Sequence, residues 1–208
     1  MKSLRNNPNQ KYVCFDTETE SLNLQNSRPW EVAFVVFDQK KTIEKVNLTL
    51  RWEDINISKG AKEVTGFNEK DYFNKAKDDP KESFSYVEKY LYSGDYIVVG
   101  QNILGFDIYQ IANWAKAIGK PVNWKYLDWC IDTLALAKAI KSNREANLEN
   151  FLGWQFAMLN TRVSARCTLG QLASDYEIEK DEDRLHEAMY DTEINAKVFV
   201  QQLYDIEI

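Results

Sequence analysis

The sequence predicts an α/β fold: a mixed five-stranded sheet flanked by helices. Three observations carry this reading. Short apolar, strand-like runs recur at 11–15, 31–37, 46–50, 96–100 and 127–131. Helical periodicity is absent between the first three runs and present between and after the later ones. A hydrophobic share of 44 % over 208 residues supplies a packed core instead of a disordered chain. The early strands are therefore expected to meander and the later ones to be joined by crossovers.

Each element has its own justification. "KYVCF" is a compact apolar run, and "EVAFVVF" (31–37) is almost continuously apolar, so its strand is covered on both faces. In "VNLTL" Val46, Leu48 and Leu50 alternate with Asn47 and Thr49, the pattern of a half-exposed strand. Phe84, Val87 and Leu91 recur at helical spacing ahead of "YIVVG", and Ile108, Ile111, Ala112 and Ala115 do so after it, with Gly119 and Pro121 as a stop. "LDWCI" makes the fifth strand, and Asp132 caps a helix running from Leu134 to Ile140. Ala196, Phe199, Val200 and Leu203 mark a last amphipathic helix. With no internal repeat and no low-complexity linker, residues 1–208 read as one domain.

Composition excludes several function classes. The formal charge is −6, from 26 Lys+Arg against 32 Asp+Glu, whereas a protein that coats nucleic acid is normally basic. An enzyme that gathers its acids around bound cations is compatible with that balance. No stretch approaches the roughly 18 apolar residues of a membrane span, and the first residues lack an apolar signal region, so a cytoplasmic protein without a membrane partner is expected. Cys14, Cys130 and Cys167 are odd in number and widely spaced, which suits small buried hydrophobes more than a disulfide framework or a zinc site. No GxxxxGK[ST] pattern supports a P-loop.

The chemistry lies in the acids at element ends. Asp16 and Glu18 follow the first strand, and their i, i+2 spacing points both to one side. Asp107 opens the helix after the fourth strand, and Asp191 opens the last helix, five residues after His186. Open α/β sheets build their sites at the carboxyl ends of strands, which would gather these four carboxylates. Together they need a counter-charge, and hard cations with oxygen ligands, Mg²⁺ or Mn²⁺, are the natural one. Two such ions clamp a phosphoryl centre and acidify water. His186, the single histidine, would then take the proton of that water. Glu20 reads as an ordinary solvated acid.

The order of "FDTETES", "NILGFD" and "HEAMYD" resembles the three motifs of the DEDD, or DnaQ-like, 3′–5′ exonuclease superfamily, which has an RNase H-like fold. A histidine five residues before the final aspartate is similar to the DEDDh branch; the DEDDy branch would have tyrosine where this chain has Glu187. "AKEVTGFNEKDY" (61–72) resembles the family's substrate-side loop, "IDTLALAKAI" the helix after its fifth strand, and "TLGQLASDYEI" the helix before the third motif. The resemblance implies two-metal hydrolysis from a 3′ end of single-stranded or frayed nucleic acid, DNA favoured over RNA, releasing nucleoside monophosphates. It implies Asp16, Glu18, Asp107 and Asp191 as ligands of two Mg²⁺ or Mn²⁺ ions and His186 as general base. Thr19, Leu22, Phe67 and Asn102 would meet the terminal nucleotides, and a polymerase or another replication or repair protein is an implied partner.

Three departures accompany the match. Thr65, Gly66 and Phe67 stand where the family commonly has His-Gly-Ile. Asn102 is five residues before Asp107, a spacing similar to polymerase-attached exonuclease domains. The connection at 142–167 is long and holds Phe151, Trp154, Phe156, Arg144, Arg162 and Arg166, which reads either as an added strand or partner contact or as a helix packed on the sheet. A different class of function, a non-catalytic DEDD module binding a polymerase or nucleic acid, would predict loss of the five catalytic positions, and all five are present.

Overall fold

The computed structural model describes residues 4–181, 184 and 187–208. Its sheet has the order β3-β2-β1-β4-β5, built from β1 (Tyr12–Thr19), β2 (Pro29–Phe37), β3 (Thr42–Thr49), β4 (Ile97–Gly100) and β5 (Cys130–Asp132). β1, β2 and β3 form an antiparallel meander, while β4 and β5 run parallel to β1. This is the expected mixed sheet.

Strand alternation sorts the core into two layers. Val13, Phe15, Phe34 and Leu48 face α3 (Pro80–Val87) and α4 (Asp107–Ala117). Tyr12, Cys14, Val35 and Phe37 face α5 (Thr133–Lys141) and α8 (Ala188–Asp205). The even-numbered residues of β1 thus look toward α8, which decides where Asp16 and Glu18 go. Cys14 and Cys130 are buried free thiols and Cys167 is half-buried and free, as small hydrophobes would be.

Several boundaries move from their expected places. β1 does not stop before its acids: it pairs with β2 through Glu18↔Glu31 and Thr19↔Pro29, so Asp16 and Glu18 lie within the strand. Pairing with β4 ends at Cys14↔Val99, and beyond that point β1 has a free flank. "LDWCI" is mostly not strand. Leu127, Asp128 and Trp129 belong to a 3₁₀ turn, Lys125–Trp129, because Asn123 Oδ1 accepts the Lys125 N–H at 2.9 Å and local turn chemistry wins. The 61–72 segment is two short helices, α1 (Lys59–Thr65) capped by Ser58 and α2 (Glu69–Lys75) capped by Asn68. Gly66, at φ 64°, makes the left-handed turn between them.

The long connection contains α6 (Phe151–Leu159), followed by α7 (Leu169–Asp175). α6 is apolar around most of its circumference and packs on α5 and β5, with Leu152, Phe156 and Leu159 touching one core layer and Phe151 and Trp154 the other. Its aromatics are packing residues, and Arg144, Arg162 and Arg166 are exposed. Among the described residues, no helix is long and apolar enough to cross a membrane.

Candidate active site

The site lies where β1 outruns β4. Asp16 and Glu18 project toward the first turn of α8, which carries Asp191. Asp107 is the first residue of α4 and is 3 % exposed; it reaches the free flank of β1, where the Thr17 hydroxyl donates to its Oδ1 at 2.6 Å. The four acids predicted to converge do so closely enough to perturb one another. Burial raises Asp16 far above the usual carboxylate range, and the charges of Asp107, Glu18 and Asp191 raise it further. Burial lifts Glu18 to about 9, with Glu31 and Asp191 adding to the effect. Asp107 is lifted to about 7 by burial, although the Thr17 hydroxyl opposes the shift. A helix N-terminus normally favours an ionised acid; here desolvation outweighs it.

Among the described residues no lysine or arginine offsets the shifts of Asp16, Glu18 and Asp107, a costly arrangement unless a cation or protons compensate. Among the described residues no group of three His, Cys, Asp or Glu side chains is arranged to hold a metal ion. The donor set itself, carboxylate oxygens alone, fits a hard divalent cation and does not suit a soft metal. His186 lies outside the described residues.

Other predicted positions fall around this centre. Thr19 is buried and its hydroxyl donates to Ser21 O at 2.9 Å. Leu22 is 85 % exposed on a loop held from below, since the Asn113 side chain donates to Leu24 O and Ser27 O at 3.1 and 2.9 Å. Phe67 is half-buried against Trp30 and Tyr72, with ring centroids 5.3 and 5.4 Å away. Asn102 sits at φ 60° in the loop leading to Asp107, and its N–H donates to Asp132 Oδ1 at 3.0 Å.

Glu20 is a correction. It is 7 % exposed and not solvated: Arg28 grips it from Nε and Nη2 at 3.0 and 2.6 Å, and the Arg28 and Asn56 amides donate to it as well. Sequence reasoning also missed Glu31, which pairs in register with Glu18, accepts from Asn47 Nδ2 at 2.9 Å and is raised by its burial. Glu31 lines a cleft of about 460 Å³ together with Trp30, Phe67, Lys75 and Glu187. The available signal was an acid at the head of an otherwise apolar run.

A mixed sheet in this strand order, with helices on both faces, defines an RNase H-like fold. The chain belongs to the RNase_T family, described as exonuclease, whose model matches residues 13–199. No curated protein sequence is close enough to match. Among solved structures the chain is similar to E. coli exonuclease I in complex with a dA16 oligonucleotide, with a TM-score of 0.69 at 16 % identity. It is also similar to the zinc-bound form of the E. coli ExoI–ssDNA complex, with a TM-score of 0.70 at 17 % identity. In both cases 93 % of this chain is covered and 40 % of the other, so the chain spans about two-fifths of those proteins.

Proposed function

We propose that the protein is a divalent-metal-dependent 3′–5′ exonuclease acting on single-stranded or frayed DNA and releasing nucleoside monophosphates. The observation that carries this reading is the group of carboxylates beside the free flank of β1, of which Asp16, Glu18 and Asp107 are raised by desolvation and by neighbouring acids. Asp16, Glu18, Asp107 and Asp191 would hold two Mg²⁺ or Mn²⁺ ions. Bound there, the ions supply Lewis acidity and a lowered pKa for water. His186 accepts the proton of the attacking water. Leu22, exposed on a tethered loop, wedges at the terminal bases, while Phe67, Thr19 and Asn102 line the approach of the 3′ nucleotide; apolar and aromatic contact of this kind tolerates any base. The preference for DNA is supported by the oligonucleotide and ssDNA complexes of the similar exonuclease I. The exonuclease I complex with SSB-Ct supports a replication or repair protein as partner. We read the chain as one domain with an insertion at 142–167.

A 3′-labelled and a 5′-labelled single strand, as DNA and as RNA, test the reading. The expected outcome is early release of 3′ label as mononucleotide, faster on DNA, only with Mg²⁺ or Mn²⁺. Asp16→Ala should fold and bind the strand yet lose turnover by on the order of 10³-fold. Full activity in excess chelator would overturn the metal mechanism, and binding without any hydrolysis by the unmodified chain would favour a non-catalytic module.

A further inference from the structure

We propose that Gln155, within the 142–167 insertion, and Asp132 are positioning residues that fix the loop delivering Asp107; this rests on the exonuclease reading above. The argument begins at the edge of the sheet. Among the described residues β5 has no strand on its outer side, and an unpaired edge normally needs cover. Gln155 is fully buried and supplies it: its Nε2 donates to Cys130 O at 3.0 Å and its Oε1 accepts the Asp132 N–H at 2.7 Å. One side-chain amide therefore pairs a C=O and an N–H on the outer edge of β5, as a neighbouring strand would.

That pairing sets the direction of the Asp132 side chain, which is also fully buried. Its carboxylate caps α5 by accepting the Leu134 and Ala135 amides at 3.0 and 3.3 Å. The same carboxylate reaches back some thirty residues to accept the Asn102 and Leu104 amides, each at 3.0 Å. A cap needs only the first pair of bonds. The second pair clamps the β4–α4 loop, including Asn102 in its left-handed conformation, one short turn ahead of Asp107. A second tie from the insertion reaches the same loop, where Gln101 Nε2 donates to Cys167 O at 2.9 Å. Gln101 Oε1 in turn accepts from the Thr133 hydroxyl at 2.6 Å. The insertion thus acts on the site from outside it, by bracing the strand whose terminal acid holds the second-motif loop.

The test uses the full chain and two readouts. In Gln155→Ala, hydrogen exchange at the Asn102 and Leu104 amides is expected to accelerate at least tenfold while β1 and β2 amides keep their protection. kcat should fall by ~10²-fold, the scale of an ångström misplacement, with the Kd for a single-stranded oligonucleotide changed less than threefold. Gln155→Glu offers the same acceptor and, protonated by burial, the same donor, and should recover most of both. Ile206→Ala, at the distant end of α8, is the control for simple destabilisation and should lower Tm without touching either readout. If Gln155→Ala does not fold, Asp132→Asn tests the clamp directly, since its NH₂ faces N–H donors. Unchanged exchange at Asn102 and Leu104, or a kcat loss no greater than in the control, overturns the proposal. Absence of nuclease activity in the unmodified chain would overturn the exonuclease reading instead, and the exchange measurement would still decide the clamp.

Discussion

Glu18, half-buried near the end of β1, and Glu20, buried just past it, stand two residues apart, yet their electrostatic situations are opposite. Glu20 is neutralised by Arg28 through a two-point ion pair and by two backbone amides. Arg28 is itself held over the Trp52 ring at 4.6 Å and paired with Asp54. Glu18 looks across the sheet at another acid, Glu31, and along it at Asp16. The end of β1 separates them: the strand stops at Thr19, and beyond it the Glu20 N–H donates to Arg28 O at 3.0 Å, which places its carboxylate beside Arg28. The lesson is that the acid with its own cation serves the fold, whereas the one raised by neighbouring acids is where the proposed metal would act.

The largest break in this comparison comes from changing each residue in turn. Glu20→Ala leaves Arg28 with its strongest partner gone and should cost about 2–3 kcal/mol, somewhat below the 3–5 of a fully buried pair, with little direct effect on metal dependence. Glu18→Gln removes the cost of holding that carboxyl protonated at neutral pH and should raise the Tm of the metal-free protein by ~2–4 °C, about 1 kcal/mol, while abolishing turnover. Denaturant melts and the label-release assay, run side by side, check both. Equal destabilisation by the two changes would erase the distinction.

A pH series sharpens it. Carboxylates whose folded pKa is raised bind more protons in the native than in the unfolded chain, so stability falls with rising pH across that interval. For Asp107, raised to about 7, and Glu18, raised to about 9, the contribution is complete below the ordinary carboxylate range and is lost as pH climbs through those values. In chelator, Tm should therefore decline between pH 5 and pH 8 by about a few degrees; Asp107→Asn should flatten the decline, and Mg²⁺ should reverse it. A Tm in chelator that rises over that range would contradict the burial of unpaired acids.

The smallest effect expected is at Leu22. Being 85 % exposed, it contributes little to folding, so Leu22→Ala should leave Tm unchanged. It should weaken binding of a 3′ end by about 1 kcal/mol, read as a severalfold rise in KM. A Tm loss with unchanged KM would make it a packing residue instead.

Much of this was legible in the chain because it follows from local rules. Period-two alternation put Asp16 and Glu18 on one face, a helix start placed Asp107, and the cap at Asp132 was readable from the turn before an apolar helix. Where reading by pattern fell short, the cause was a partner far away in sequence. β1 runs past its apolar stretch because β2 continues to pair with it, and "LDWCI" is trimmed because Asn123 makes a turn first.

By itself, then, the sequence determined the sheet, its helices and which acids share a face, since propensity, periodicity and capping act over a few residues. Tertiary structure alone decided which acids are compensated and which are not. Arg28 finds Glu20, Glu31 comes beside Glu18, and Asp132 reaches back to Asn102 and Leu104 while Gln155 braces its strand. Charge balance inside a protein depends on distance and burial, and neither is fixed until strands pair and helices dock.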